Sequence, residues 1–209
     1  MRWFGLVLAL LLSACSQTNP VLTTLGSAWH DPSAAMNFNP TIEYLQVQAL
    51  GRKSYLVLGV RQVQGEEMNE YWYSADKEML HLRNGRLIEA LGMTREIRST
   101  TLTAPAWLTL STQAQVWVRE RDLMPYYQYG VRQFVISQQV KPTEQEKAWA
   151  PRATHWVQEQ IKTSSATQGA WIYDELFALD DHGHVLFSNQ CVAPDLCLQM
   201  TYLGHVVKP

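Results

Sequence analysis

From Ile42 onward, apolar and polar side chains alternate in short runs, and turn-forming clusters close each run. Ser54 to Val63 is rich in β-branched and aliphatic residues, which suit a pleated, half-buried strand. Gln64-Gly65-Glu66-Glu67 ends it as a turn, and Glu70 to Tyr73 and Met79 to Leu82 follow as two shorter strands. Asn84-Gly85 marks a two-residue hairpin, because both residues tolerate the positive φ of a type I′ turn. Arg86 to Leu91 is the returning strand. Gly92 to Pro105, full of Thr and Ser, reads as a break. Ala114 to Arg121 then alternates cleanly, with Val116 and Val118 on one face and Gln115, Trp117 and Arg119 on the other. Tyr126 to Val140 sets Val131, Gln133, Val135 and Ser137 opposite Arg132, Phe134, Ile136 and Gln138. Thr154 to Lys162 and Ala170 to Leu179 repeat the style. Asp180-Asp181-His182-Gly183 is a turn, Val185 starts a strand running to Cys191, and Leu196 to Val207 closes the chain. Some ten short strands without a sustained helix predict a mainly β, antiparallel domain over residues 42–209. It is barrel-like, a half-open barrel or a sandwich.

The N-terminal pattern is different. Arg2 precedes an almost wholly apolar run from Trp3 to Leu12. A membrane-spanning helix needs about 20 apolar residues, so this run is the core of a signal peptide. It ends in Leu12-Ser13-Ala14-Cys15, the register of a bacterial lipobox. Residues 1–14 are therefore expected to be removed, and Cys15 to carry a diacylglyceryl group and an N-acyl chain. Each buried CH₂ contributes about 0.8 kcal/mol, so several chains together hold a protein on a bilayer. Ser16 after the lipidated Cys favours sorting to the outer membrane, with the folded part facing the periplasm. Residues 15–41 form the lipidated tether; Val21, Leu22, Leu25 and Trp29 fall on one face of a short N-terminal helix stopped by Pro32.

Composition narrows the function. Charged residues are 17% of the chain, apolar residues 46% and the formal charge −2, which excludes wholesale disorder. A weakly acidic chain lacks the Lys and Arg surplus that nucleic acid requires. Of the three cysteines, Cys191 and Cys197 lie six residues apart around Pro194-Asp195, a turn-prone loop. In an oxidising compartment that spacing favours a disulfide, with half a zinc site or two buried thiols as the alternatives.

No nucleophile elbow, zinc-protease motif, P-loop or dinucleotide fingerprint occurs. The sequence accordingly predicts no catalytic residue, no metal and no cofactor beyond the lipid on Cys15. His182 and His184 flank Gly183 in a turn and read as a solvated hairpin tip. Asp174 and Glu175 are strand neighbours that point to opposite faces, so they do not converge on one bond. Aromatics remain: Trp72, between Tyr71 and Tyr73, and the run Tyr126, Tyr127 and Tyr129. Trp and Tyr join an apolar body to a polar tip, which suits sugar rings and interfaces as well as sheet cores. These four, with Arg83 and Arg86 beside the Asn84-Gly85 hairpin, are the candidate binding residues.

Three segments carry a family likeness: Tyr55-Leu-Val-Leu-Gly59, Trp72-Tyr-Ser-Ala-Asp76 and Leu82-Arg-Asn-Gly-Arg-Leu87. In order after the lipobox, they resemble the Val-Leu-Gly strand, the Trp-x-Ser-x-Asp turn and the Asn-Gly-Arg-Leu hairpin of the group 4 capsule polysaccharide lipoprotein family, GfcB/YjbF. Leu179-Asp-Asp-His-Gly183, Leu198 to Leu203 and Lys208-Pro209 are similar to its closing segments; residues 93–170 match loosely, and Cys191 and Cys197 depart from the pattern. The resemblance implies a barrel-like fold, an outer-membrane lipid anchor, and a non-catalytic accessory role in making or exporting capsule or exopolysaccharide. Its implied partners are the glycan and capsule-export proteins. A lipid-binding carrier is the alternative, and a polysaccharide-modifying enzyme a more distant one. The character of the concave face distinguishes the first two. A wholly apolar cavity favours lipid, and aromatics interleaved with Arg, Asn and Gln favour glycan.

Overall fold

A computed structural model describes residues 38–125, 127–165 and 169–206. Twelve strands form an up-and-down antiparallel barrel: β1 (Glu43–Ala49), β2 (Arg52–Gln64), β3 (Glu67–Tyr73), β4 (Met79–Arg83), β5 (Arg86–Leu91), β6 (Glu96–Leu102), β7 (Gln115–Met124), β8 (Gln128–Gln139), β9 (His155–Ser165), β10 (Gly169–Leu179), β11 (Val185–Ala193) and β12 (Leu196–His205). Each strand pairs with its sequence neighbours, and β1 pairs with β12 to close the circle. Closure removes the free edges that would otherwise pair with other chains. Asn37–Pro209 is a compact unit of its own.

The expected antiparallel barrel is present, with three differences in detail. Gly92 to Pro105 is not only a break, because it contains β6, which pairs with β5 through Glu89–Arg98 and Ala90–Ile97 and with β7 along its length. Ser and Thr need not interrupt a strand, and here Ile97 is buried while its neighbours face water. The second difference is a helix, α1 (Glu144–Trp149), in the middle of the chain. A reciprocal capping box starts it: Thr143 Oγ1 accepts from the Glu146 amide at 3.2 Å, and Glu146 accepts from the Thr143 amide at 2.6 Å. The expected helix around residues 21–29 lies outside the described residues. Third, the barrel has twelve strands rather than ten.

The interior has two characters. Next to β1–β4 and β12 it is a conventional apolar core of Leu45, Val47, Leu56, Trp72, Leu80, Leu82, Leu198 and Met200. Burying each such side chain contributes roughly 1.5–3 kcal/mol. Between β7 and β11 the inward positions mix apolar residues such as Val135, Ile161 and Phe177 with polar ones: Arg119, Arg121, Gln133, Ser137, Glu159, Thr163, Glu175 and Gln190 are all buried. On β7 the Trp117–Arg119 face points in and Val116 points out, 68% exposed.

The connection from β6 to β7 folds over this polar half. Trp107, in a single 3-10 turn, donates its indole N–H to the Asn84 carbonyl at 2.6 Å and tilts against Phe177. The Arg86 guanidinium lies 3.4 Å from the Trp107 ring centroid, a cation–π contact. Among the described residues the apolar half at the same end has no such plug, and there the barrel opens.

Candidate functional site

The buried polar side chains are the first place to look for chemistry, and their partners show what they do. Arg119 forks onto both oxygens of Glu175 at 3.0 and 3.2 Å and also donates to Gln133 and to the Tyr173 hydroxyl. Arg86 donates twice to Glu159 Oε1, at 2.9 and 3.2 Å, and Ser137 donates to the same oxygen. Burial alone would raise the Glu175 carboxyl, but Arg119 and then Arg121 outweigh it and hold it below the ordinary range. Burial pushes Arg121 down to about 10, helped by its neighbour Arg119.

Arg121 and Gln190 serve the backbone. Arg121 donates to the carbonyls of Leu87 and Cys191, while Gln190 accepts from the Leu87 amide and donates to the Gly85 carbonyl. At this point β5 pairs with β6 only through Glu89 and Ala90, so the start of β5 has no ladder on that side. Side chains crossing the barrel replace the missing backbone partners, as buried N–H and C=O groups require. The network is structural: its carboxylates are sealed from water and neutralised by arginine.

The open site is a cleft of about 250 Å³ at the barrel end carrying the β4–β5 and β10–β11 turns. Leu45, Trp72, Leu82, Phe187 and Met200 line its depth, and Arg61, Glu70, Asp180, His184 and Tyr202 stand on its rim. Gly85, at φ +77°, forms one edge; a Cβ there would collide with the Val185 side chain, so the two turns meet only because the residue is glycine. The rim is prearranged. Arg61 spans two carboxylates, with both Nη atoms on Glu43 at 2.9 and 2.6 Å and Nε and Nη2 on Glu70 at 2.9 and 2.7 Å. Tyr202 donates its hydroxyl to Glu43 at 2.6 Å.

These contacts set the charges. The hydrogen bond from Arg61 holds Glu43 below its ordinary value, and the two carboxylates drive Arg61 upward. Burial, then the bond to Glu43, pushes Tyr202 up to about 12. Across the cleft Asp180 accepts from the backbone amides of His182 and His184, both at 2.9 Å, and its other oxygen lies 3.1 Å from His184 Nδ1. Partial burial opposes its ionisation, but those donors win and keep it charged.

The sequence-predicted residues do not assemble into one site. Trp72 is fully buried and forms part of the cleft's wall. Arg83 is half-buried, donating to Asn69 at 3.2 Å and lying 4.0 Å from Glu67. Arg86 points inward onto Glu159 and presents nothing to an outside partner. Tyr127 and Tyr129 are exposed at the β7–β8 turn, at the opposite end of the barrel. Tyr126 and Cys15 lie outside the described residues. Cys191 and Cys197 face each other across β11 and β12 and form a disulfide. Asp174 and Glu175 do part: Glu175 is inside with Arg119, and Asp174 faces out near Gln160. Among the described residues no group of three His, Cys, Asp or Glu is placed to hold a metal. The rim residues Arg61, Glu70 and Tyr202, and Glu43 bonded to them, carry no sequence signal, being up to 159 positions apart.

Fold and cleft together define a small closed β-barrel with a ligand-sized opening at one end. The chain belongs to the YjbF family, described as group 4 capsule polysaccharide lipoprotein gfcB, YjbF, whose pattern matches residues 30–203. Among solved structures it is similar to the hypothetical lipoprotein YmcC from Escherichia coli (K12), with a TM-score of 0.65 and 19% identity over 92% of this chain and 100% of that one. At that identity the likeness is one of fold. No curated protein matches the chain.

Proposed function

We propose that this protein is a lipid-anchored accessory factor of capsule or exopolysaccharide production or export, held on the outer membrane through Cys15, facing the periplasm, and acting without catalysis. Its partners in this reading are the polysaccharide and the export proteins that carry it. The observation that carries the proposal is membership of a capsule-lipoprotein family along residues 30–203. Two features support it: the lipobox register Leu12-Ser13-Ala14-Cys15, and the commitment of Glu159 and Glu175, the fully buried carboxylates, to arginine partners. A carboxylate that must donate or accept a proton in a reaction needs access to substrate. These two have none.

The test is deletion of the gene in its native host with complementation. Surface polysaccharide is expected to fall while polysaccharide inside the cell persists, and the wild-type gene restores it. Unchanged surface polysaccharide in the deletion strain would reject the export role. A change in the length or substitution of the polysaccharide on incubation with purified protein would show an enzyme instead.

A further inference from the structure

The cleft has two features that together specify what fits it. Its depth is apolar, walled by Leu45, Leu82, Phe187 and Met200. About 250 Å³ is room for a medium alkyl chain. Within that wall Trp72 is fully buried and presents its ring to the depth of the cleft's lining.

The second feature is the rim. Among the described residues Arg61 is the one Lys or Arg side chain lining the cleft, and Glu43 and Glu70 already occupy its guanidinium from both sides. With Asp180 opposite, and Glu43 bonded to Arg61, three carboxylates stand against one guanidinium among the described residues. An anionic head group entering here would meet like charge and, among the described residues, no cation that is not already paired. The carboxylates offer acceptor oxygens, which reward a head group rich in O–H or N–H donors.

We propose that the cleft binds a single alkyl chain bearing a donor-rich, non-anionic head, the chain against Leu82 and Met200 and the head between Glu70 and Asp180, and that it rejects the same chain carrying a carboxylate or phosphate. The inference rests on the cleft alone and stands or falls separately from any role in export.

The reporters are built in. Met68 and Met200 line the cleft, and Met93 and Met124 lie elsewhere in the barrel. The chain from Ser16 onward, which contains the whole closed barrel, is labelled with ¹³C-methyl methionine and titrated below micellar concentration. The probes are octyl glucoside, octylamine, octanoate and octyl phosphate. Conservative Met68→Leu and Met200→Leu variants assign the signals without disturbing the fold. Octyl glucoside or octylamine should shift Met68 and Met200 and leave Met93 and Met124 in place, and the stronger of the two identifies a sugar or an amine head. Both anionic probes should bind at least about tenfold more weakly, the measure of a like charge brought to the rim. Glu70→Gln, which removes one carboxylate from Arg61, should narrow that gap by strengthening octanoate. Equal binding of octanoate and octyl glucoside overturns the proposal, as does the absence of any Met68 or Met200 shift with both non-anionic probes.

Discussion

Asp174 and Glu175 show how far one residue's position decides its energetics. Glu175 is buried and held by the Arg119 fork, whereas Asp174 meets water and a distant Gln160 amide at 3.5 Å. Removing one partner of a buried ion pair leaves the other charge stranded, at about 3–5 kcal/mol. Glu175→Gln is therefore expected to lower the urea midpoint by an amount of that order, while Asp174→Asn stays within about 0.5 kcal/mol. Equal midpoints for the two variants would mean that Arg119 does not depend on Glu175. At the rim the same logic becomes pH dependence. Glu43 is held below its ordinary 4.5 chiefly by the Arg61 hydrogen bond, so the folded state binds its proton less readily than the unfolded chain. Its stabilising contribution is present above pH 4.5 and is lost as pH falls through the lower folded value. Thermal melts should show Glu43→Gln less stable than wild type at neutral pH, with the gap closing in acid. A gap independent of pH would place the effect in packing.

At the scale of elements, the hairpins were readable because turn chemistry is local. Asn84 and Gly85 both take positive φ, 48° and 77°, and the strands on either side follow. The alternation on β7 was equally legible, but not which face goes in, because a face bearing Arg119 and Arg121 is buried only where Glu175 and two carbonyls on distant strands receive it. β6 was missed because half its support comes from pairing with β7, which no local pattern reveals. The Thr143-x-x-Glu146 box was in the sequence and marks α1, but six residues with no buried face give no helical periodicity. The rim was unreadable for a topological reason: Glu43 and Tyr202 meet only because β1 closes on β12. The Cys191–Cys197 pair was legible from spacing, and the register places the two residues directly opposite each other. So short a loop should contribute about 2–3 kcal/mol in the chain-entropy model. The double variant Cys191→Ala/Cys197→Ala should lose that much in denaturant, and intact mass should show no alkylation of native, unreduced wild type at these two positions. Both thiols alkylating without a reductant would reject the bond.

For the molecule as a whole, the outer surface of the barrel bears on how it is held at a membrane. A barrel that spans a bilayer presents a continuous apolar band outward. Here Glu120, Arg132, Lys162 and Asp174 point outward on four neighbouring strands, β7 to β10, and Glu120 is paired in register with Arg132. Charges on a lipid-facing strand cost about 2–4 kcal/mol each near the bilayer centre for Arg and Lys. No helix among the described residues is long and apolar enough to cross. Charges on that side of the barrel do not suit lipid, and the proposed attachment runs instead through the Leu12-Ser13-Ala14-Cys15 segment. A single acyl chain binds a bilayer only reversibly, and stable anchoring takes more than one. The diacylglyceryl group and N-acyl chain proposed for Cys15 would meet that condition. Wild type is accordingly expected to incorporate labelled palmitate and to fractionate with the outer membrane, whereas Cys15→Ala loses the label and leaves that fraction. Because Cys15 lies far in sequence from the barrel core, the variant should keep the wild-type melting temperature, separating lost anchoring from lost folding. A Cys15→Ala protein that is processed, folded and still in the outer membrane would show that some other part of the chain holds it there.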